Sequence, residues 1–291
     1  MPPALDALLT LLGLEKIEEN LFRGQSQDPG WGTVFGGQVL GQAMSAAVQT
    51  TPRERAAHSL HAYFLRPGDV SKPILYEVDR IRDGGSFNTR RVVAIQSGQP
   101  IFNMAASFHK AEDGFEHQDP MPEVPPPEQV PTEQERILQV EDRVPPALLE
   151  RFTMPRAFEL RPIDRIDDPF HPSPVPPHRS VWLKTTGPVP DDLALHEALL
   201  AYASDHAFIG TALLPHGVTF FGGEIQLASL DHVMWFHGPF RIDEWLLHVM
   251  DSPRARGGRG LVRGSVFTRD GRLVASTAQE GMIRKRRKDA K

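Results

Sequence analysis

The stretch "AAHSLHAYFLRPGDVSKPILYEV" at residues 56–78 resembles "ASLDHVMWFHGPFRIDEWLLHVM" at residues 228–250. Aligning Phe64 with Phe236, at an offset of 172, also pairs a proline three residues further on and a leucine near the end of each stretch. Both stretches alternate apolar and polar residues in the way that is typical of strands with one buried face. We therefore ask whether the chain contains one module twice.

A second pair of segments supports the repeat. Residues 92–110 align with residues 264–285 at an offset of 173, which places Ser97-Gly98 opposite Asp270-Gly271. Offsets that stay nearly constant along the chain predict a duplicated module. Identity between the copies is low, so a chance likeness of two strand-rich patterns is the alternative.

The two copies have the same predicted order of elements. A helix is predicted at 35–50 and again at 191–208, and a β-like segment precedes each helix, at 19–26 and at 178–185. Three β-rich segments follow each helix, and the last two are joined by a turn that suits a hairpin. Each module is therefore predicted to be α+β, with one long helix packed on an antiparallel sheet. The two sheets can pair edge to edge, which would hide their exposed edges.

Proline marks the segment between the copies. Of 27 prolines, 17 fall within residues 116–190, and the stretch "DPMPEVPPPEQVPTEQE" at 119–135 has few apolar residues. Such a stretch is not expected to build a core, and it is typical of a linker, although Pro-rich ligands of partner modules look similar. The predicted division is an N-terminal module at 1–115, a linker at 116–150 and a C-terminal module at 151–291.

Composition excludes several classes of protein. The 291 residues carry a formal net charge of -5 and no cysteine. This balance gives no general attraction to nucleic acid, and the lack of cysteine excludes disulfides and thiolate catalysis. No apolar run approaches the length that spans a bilayer, and the N-terminus is typical of an amphipathic helix rather than a signal peptide. We expect a cytoplasmic protein that neither binds nucleic acid nor inserts into a membrane.

Several catalytic and cofactor motifs do not occur. The chain has no G-x-S-x-G, no P-loop, no G-x-G-x-x-G and no H-E-x-x-H string. The glycines of "FGGQVLG" at 35–41 are predicted to allow close packing of a helix on the sheet, with direct ligand contact as the alternative. His232 and His237 lie five residues apart in a β-like segment and should point to opposite faces. We expect no metal site and no cofactor.

One carboxylate breaks the apolar pattern of "LLAYASDHAFIGTALL" at residues 199–214. If the whole stretch is helical, Asp205 lies on an apolar face, and its neighbours there are Ala198, Ala201, Tyr202, Phe208 and Ile209. The alternative is that the helix ends near Ala203, so that Ser204 and Asp205 cap a local turn. The sequence leaves both interpretations open.

Two further polar residues distinguish the second copy. Ser229 stands where the first copy has Ala57, and Gln279 stands where it has Ala106. Gln279 is predicted to lie on the sheet face that looks at the helix. A buried carboxylate is costly unless it is hydrogen-bonded, and a hydroxyl and an amide could satisfy Asp205. The three groups could then hold a water and activate it, although either partner alone could be a filler.

The chain resembles the acyl-CoA thioesterase II family, whose fold is a double hotdog. The resemblance covers nearly the whole chain and rests on "LFRGQS" (21–26), "VFGGQVLGQA" (34–43), "HAYFLRPGD" (61–69), "FNTRRVVAIQ" (87–96), "GFEHQ" (114–118), "YASDHAF" (202–208), "LDHVMWFH" (230–237), "EWLLHVMDS" (244–252) and "LVASTAQEGMIR" (273–284). In that family an Asp, a Thr or Ser, and a Gln activate the attacking water. These roles fall on Asp205, Ser229 and Gln279, and Ser229 departs from the threonine of the common prokaryotic pattern.

The resemblance implies hydrolysis of medium- to long-chain fatty acyl-CoA without a covalent intermediate. It also implies a homo-oligomer, as a dimer or tetramer of double hotdogs, and no metal or redox cofactor. Cations that could bind CoA phosphates are Arg66, Arg90, Arg91 and the run at 284–288, although that run also fits a solvated tail. Two other classes compete: a hotdog hydratase or dehydratase, whose D-x-N-P-x-H string does not occur here, and a non-catalytic acyl-CoA-binding protein.

Overall fold

The computed structural model describes residues 1–30, 32–164, 172–219, 221 and 223–286. The elements of the first half are α1 (Pro3–Leu12), β1 (Glu15–Glu18), β2 (Leu21–Gly24), α2 (Gly36–Gln49), β3 (Arg55–Phe64), β4 (Ile74–Asp83), β5 (Phe87–Gln96) and β6 (Gln99–Lys110). Two short helices follow, α3 (Glu133–Leu138) and α4 (Pro146–Thr153). The elements of the second half are β7 (Phe158–Pro162), β8 (His178–Thr185), α5 (Leu193–Ser204), a 3₁₀ helix (Ile209–His216), β9 (Ile225–Ser229), β10 (Asp231–Phe236), β11 (Leu246–Arg256), β12 (Arg259–Thr268) and β13 (Leu273–Lys285).

Thirteen strands of the described chain form one antiparallel sheet. The order is β1-β2-β4-β5-β6-β3-β10-β13-β12-β11-β8-β7, with β9 paired to β13. From the outer edges inward, β2-β4-β5-β6-β3 in one half corresponds to β8-β11-β12-β13-β10 in the other. The halves meet where β3 pairs with β10, so their sheets are joined at these edges.

The strand register confirms the repeat. His61 on β3 lies opposite Val233 on β10, and these two residues are 172 apart in sequence. A two-fold relation between the halves requires equivalent positions to meet at its centre. Away from this centre, Ala57 lies opposite Phe108 on β6 in the first half, and Ser229 lies opposite Gly281 on β13 in the second. The two copies thus share one internal register.

Four strands follow α2 and five follow α5, instead of the three predicted β-rich segments. In the first half they are β3, β4, β5 and β6. The sequence pattern under-counted them because the loop between β3 and β4 interrupts one apolar run without a clear hairpin signal. The predicted turn at Ser97-Gly98 is confirmed: both residues have positive φ, at 50° and 74°, and Gln96 pairs with Gln99. Such a turn matches the twist of the strands that it joins.

The two long helices pack against each other across the halves. A Cβ at Gly37 would lie 2.3 Å from the Tyr202 carbonyl oxygen, and a Cβ at Gly41 would lie 3.1 Å from that of Ala198. The prediction that these glycines pack a helix on the sheet is therefore wrong for Gly37 and Gly41, whereas Gly36 lies against the Phe64 ring of β3. Gly37 and Gly41 allow α2 to approach α5, because a side chain would collide with the partner helix at Gly37 and would crowd it at Gly41.

A single apolar core extends through both halves. Leu40 of α2, Phe102 of β6, Leu199 of α5 and Met234 of β10 belong to the same buried cluster. Helix α1 is present as the N-terminal pattern predicts and buries four leucines, Leu5, Leu8, Leu11 and Leu12. Within the described residues, no helix combines the length and apolar character needed to cross a bilayer.

The Pro-rich connection packs more closely than its composition indicates. Val130 is buried against Trp182, Leu247 and Phe267 on the outer side of the second half. Further along, a small cluster of its own contains Ile137, Val144 and Phe152. The expectation of a segment without core residues is wrong, because apolar side chains between the prolines pack against the second half.

Candidate active site

Asp205 lies where α5 ends. The helix begins after Asp192, whose side chain accepts a hydrogen bond from Ala194 N–H, and it ends at Ser204. Asp205 is the C-cap, and Ala207 with a φ of 57° turns the chain into the following 3₁₀ helix. The predicted helix at 191–208 is therefore too long, and the alternative that ended it near Ala203 describes the backbone better.

The structure brings the three predicted site residues together. Ser229 Oγ on β9 donates to Asp205 Oδ1 at 3.2 Å, and Gln279 Nε2 on β13 donates to the same oxygen at 2.8 Å. Gln279 is fully buried and faces the helix, as predicted, whereas Asp205 and Ser229 keep part of their surface exposed. Two donors thus fix the direction of this carboxylate.

Helix α2 of the first half completes the surroundings of this carboxylate. A Cβ at Gly36 would lie 2.6 Å from Asp205 Oδ2 and 3.1 Å from the Phe64 ring. The backbone N–H of Gly37 acts on this carboxyl and lowers its pKa. Because the N-terminus of a helix carries unpaired N–H groups and a partial positive charge, it stabilises a nearby anion. The site therefore lies between the halves and not within the second copy alone.

Burial controls the basicity of Asp205. It raises the pKa of the carboxyl to about 6, while hydrogen bonds from Gln279, Ser229 and Gly37 pull the pKa the other way. Asp205 is thus ionised at neutral pH and is a stronger base than an ordinary aspartate, which is the balance that a general base needs.

The far end of the Gln279 amide remains available. Its Oε1 is buried and has no hydrogen-bond partner within the described part of the chain. Buried polar atoms normally find a partner, so an unpaired acceptor beside a base is a place for a donor such as a water.

Aromatic rings border the site on the side of α2. Phe35 contacts Tyr202 with ring centroids 5.2 Å apart and His206 with centroids 4.8 Å apart. Burial lowers the pKa of His206 to about 4, so this ring is neutral at physiological pH. The carboxylate next to it in sequence therefore has no charged histidine as a partner.

An apolar group, which we call the satellite cluster, borders the site on the other side. It consists of Val181, Phe208, Ile209, Ala212, Met250 and Val262. Val262 lies directly opposite Gln279 in the sheet. A Cβ at Gly281 would lie 2.3 Å from Ile209 Cγ1, so the 3₁₀ helix lies directly on this strand. The carboxylate therefore borders an apolar wall.

Arg90 is not available to bind a phosphate, and its prediction as a CoA-binding cation is wrong. Its side chain is 1% exposed. Its Nε donates to Thr50 Oγ1 at 3.0 Å and its Nη2 to the Thr50 carbonyl at 2.8 Å, and the guanidinium also pairs with Asp83. The Arg90 guanidinium therefore has a structural role, because its donors bind protein oxygens.

The remaining predicted cations lie at the surface. Arg91 pairs with Asp79 at 3.0 Å. Arg66 donates to the Pro100 carbonyl at 2.6 Å and follows Phe64 by two residues. Of the run at 284–288, positions 287 and 288 lie outside the described residues. Among the described residues, no group of three or more His, Asp or Glu side chains could hold a metal ion.

The sequence analysis missed one polar residue of this site. His232 on β10 is fully buried and His237 is exposed, so the two point to opposite faces, as predicted. The Nε2 of His232 lies 2.9 Å from Ser204 Oγ. Its equivalent in the first copy, 172 positions earlier, is Leu60. A replacement of leucine by histidine on an apolar strand face was the signal that could have revealed it.

Comparisons with known proteins place the chain in a family. A family model described as acyl-CoA thioesterase matches residues 149–282, and one described as acyl-CoA thioesterase N-terminal domain matches residues 27–109. Acyl-CoA thioesterase 2 of Haemophilus influenzae is 45% identical over 98% of this chain and 99% of its own. The crystal structure of the acyl-CoA thioesterase II TesB2 of Mycobacterium marinum is 40% identical, with a TM-score of 0.79 over 98% of this chain and 100% of that one.

The chain therefore belongs to the acyl-CoA thioesterase II family, and it is a thioester hydrolase. A structural comparison also assigns the fold. A hot dog fold protein from Alicyclobacillus acidocaldarius, 22% identical, has a TM-score of 0.77 over 97% of this chain and 99% of its own. The two tandem modules with their long helices are a double hotdog, as the resemblance implied.

Proposed function

We propose that this enzyme hydrolyses medium- to long-chain fatty acyl-CoA by direct attack of a water that Asp205 activates. The observation that carries the proposal is the hydrogen-bonded carboxylate, whose Oδ1 accepts from both Ser229 and Gln279. Such a constellation, with a base near neutral pKa and two orienting groups, can position a water without a covalent nucleophile.

The proposed reaction has two steps. Asp205 takes a proton from the water while the water oxygen attacks the thioester carbon, and the Oε1 of Gln279 accepts the other water proton in a hydrogen bond. The intermediate then collapses, the C–S bond breaks, and Asp205 returns the proton to the departing thiolate. The products are the fatty acid and free CoA, and no acyl-enzyme forms.

The first turn of α2 is proposed to stabilise the oxyanion. The N-terminus of this helix lies beside the Asp205 carboxylate, since a Cβ at Gly36 would lie 2.6 Å from Oδ2. A carbonyl oxygen held at this helix end gains negative charge during attack, which such donors stabilise more than they stabilise the neutral substrate.

Chain-length preference is proposed to depend on the satellite cluster. Val262 and Ile209 lie beside the catalytic amide, and the cluster continues away from it beneath the 3₁₀ helix. Each additional buried CH₂ contributes about 0.8 kcal/mol, so an acyl chain that enters this region binds better as it lengthens. Replacing Ile209 by alanine should raise kcat/KM for the longest chains relative to the shortest.

Assembly and location are part of the proposal. The outer face of the central strands exposes Tyr63 and Trp235, at 58% and 39%. Exposed aromatic rings on an open sheet are typical of protein–protein contact surfaces. We propose a cytoplasmic homo-oligomer, a dimer or a tetramer, whose mass light scattering would determine.

The test is release of free CoA thiol from acyl-CoAs of graded length. Asp205→Asn should lower kcat about 10³-fold or more, because the amide cannot accept the proton. The matched control is Glu197→Gln, which changes the other buried carboxyl of α5. That carboxyl accepts from Ala57 N–H at 3.3 Å, and burial raises its pKa to about 8. This control should keep its rate within about threefold.

Equal rates for Asp205→Asn and the wild type would disprove the role of Asp205. Hydration of an enoyl-CoA without thiol release would indicate a hydratase, and tight acyl-CoA binding without turnover would indicate a binding protein. Circular dichroism of each variant separates loss of chemistry from loss of fold.

A further inference from the structure

The second half carries a polar residue beside the site that the proposed reaction does not use. His232 occupies the position that Leu60 has in the first half, and both side chains are fully buried. In the first half, Leu60 lies opposite Ala106 on the neighbouring strand. The equivalent of Ala106 is Gln279, so the histidine and the proposed catalytic amide are neighbours on adjacent strands.

The described strand register agrees with this placement. Val233 of β10 pairs with Ala278 of β13. His232 precedes Val233, and Gln279 follows Ala278. In antiparallel strands these two positions lie opposite each other. Both side chains are buried on the face that looks at the helices. The polar replacements in the second copy are thus contiguous in space.

The hydrogen bonds around His232 define which nitrogen carries its proton. Ser204 Oγ donates to the Ala201 carbonyl at 2.9 Å, so its single proton is in use. With that proton directed at the Ala201 carbonyl, we assign the donor role to His232 Nε2, which lies 2.9 Å from the same oxygen. Its Nδ1 is left as an acceptor, buried and without a partner in the described chain.

Ser204 is the last residue of α5, and the next residue is Asp205. A hydrogen bond to Ser204 therefore holds the point from which the carboxylate projects. The backbone immediately after it needs such support, since Ala207 has the left-handed φ of 57° that a residue with a side chain adopts only at a cost. A fixed helix end keeps the carboxylate oriented when the bound substrate displaces neighbouring groups.

We propose that His232 is a positioning residue of the hydrolase, acting through Ser204 to hold Asp205 in the orientation that activates the water. The inference rests on the proposed role of Asp205. His232 does not act as a base or an acid, because burial, together with the neighbouring His248, lowers its pKa to about 3. It remains neutral, with Nε2–H as a donor, across the range in which Asp205 works.

The chain offers a matched control. His248 is also a buried histidine on the same sheet face, its Nε2 lies 3.2 Å from Thr277 Oγ1, and burial lowers its pKa to about 4. It contacts the Phe208 ring, as His232 does, with ring centroids 5.3 Å and 5.7 Å away, respectively. It has no hydrogen bond to the end of α5. A general loss of core packing would lower the rates of both histidine variants. Loss of Asp205 positioning would lower only the rate of the His232 variant.

The test compares kcat and KM of the full-length enzyme and its variants. His232→Leu restores the residue of the first half and should lower kcat about thirtyfold with KM nearly unchanged, whereas His248→Leu should stay within about threefold. His232→Gln, whose amide nitrogen can replace Nε2–H, should recover most of the rate. The double variant His232→Leu with Ser204→Ala should be no slower than the slower single variant, because both remove one interaction.

Three results would overturn the inference: equal losses for the two histidines, no recovery with glutamine, or losses of His232→Leu and Ser204→Ala that multiply. Amide hydrogen exchange at residues 203–206 gives a reading that needs no turnover. Exchange there should accelerate in His232→Leu and not in His248→Leu, and unchanged exchange would contradict the inference. A wild type without thioesterase activity would instead overturn the proposed function, and the exchange result would still decide about His232.

Discussion

The C-terminal ends of the two long helices are equivalent places that hold opposite kinds of chemistry. Helix α5 ends on Asp205, which receives hydrogen bonds from Ser229 and Gln279. Helix α2 ends on Thr50, whose oxygens receive the buried guanidinium of Arg90. One end presents a hydrogen-bonded carboxylate, and the other is filled by a structural cation.

The strands beneath the two helix ends follow the same division. Where the second half has Ser229 and Gln279, the first half has Ala57 and Ala106, at equivalent positions of the register. A duplicated fold therefore supplies two helix–sheet interfaces. Ser229 and Gln279 give only the second interface side-chain donors to Asp205, whereas the first half contributes packing and the α2 N-terminus.

Among the changes that compare the two helix ends, the largest difference in kcat is expected from Gln279→Ala. Loss of the 2.8 Å hydrogen bond leaves Asp205 free to rotate and removes the proposed water acceptor, so kcat should fall about 10²-fold. Steady-state thiol release measures the effect. The counterpart change in the first half, Ala106→Gly, removes no polar group and should leave kcat within about threefold; a similar loss there would argue against the division.

Arg90→Met is expected to lower the stability of the protein and to leave kcat unchanged. The variant loses the hydrogen bonds to Thr50 and to the Arg82 carbonyl and should be less stable by about 3 kcal/mol, while kcat of the folded enzyme stays the same. Denaturant unfolding followed by circular dichroism measures the stability. A fall in kcat without a fall in stability would show that the first end takes part in catalysis.

A pH profile tests the charge state of the site. The pKa of Asp205 is raised to about 6, so the carboxyl becomes protonated as the pH falls below that value and can no longer accept a proton. The rate kcat/KM should fall about tenfold per pH unit below pH 6. His206 and His232, with pKa values lowered to about 4 and about 3, stay neutral through most of that range. A profile flat down to pH 4.5 would contradict the assignment of Asp205 as the base.

The smallest effect is expected from Ser229→Thr. The hydroxyl and its donation to Asp205 are retained, and the added methyl group restricts χ1, so kcat should change by less than about threefold. Ser229→Ala, which removes the donor, should be clearly slower. Equal rates for the threonine and alanine variants would mean that the hydroxyl contributes nothing to the reaction.

Much of the fold could be read from local sequence signals. The helix predicted at 35–50 is observed at Gly36–Gln49, and the strand predicted at 178–185 is observed at those residues. Both depend on short-range periodicity and boundary residues, which the chain carries locally. The bounds of α5 were harder to predict, because the apolar pattern continues through Ala207 into the 3₁₀ helix and conceals the helix end.

The sequence by itself determined the duplication and the three polar residues that only the second copy carries, since both follow from comparing one half of the chain with the other. The tertiary structure alone decided that the first half supplies the α2 N-terminus to the site, that Arg90 is sealed inside as a structural cation, and that His232 holds the residue before Asp205. Each of these depends on contacts between residues far apart in the chain, and no local pattern encodes which distant surface a side chain will meet.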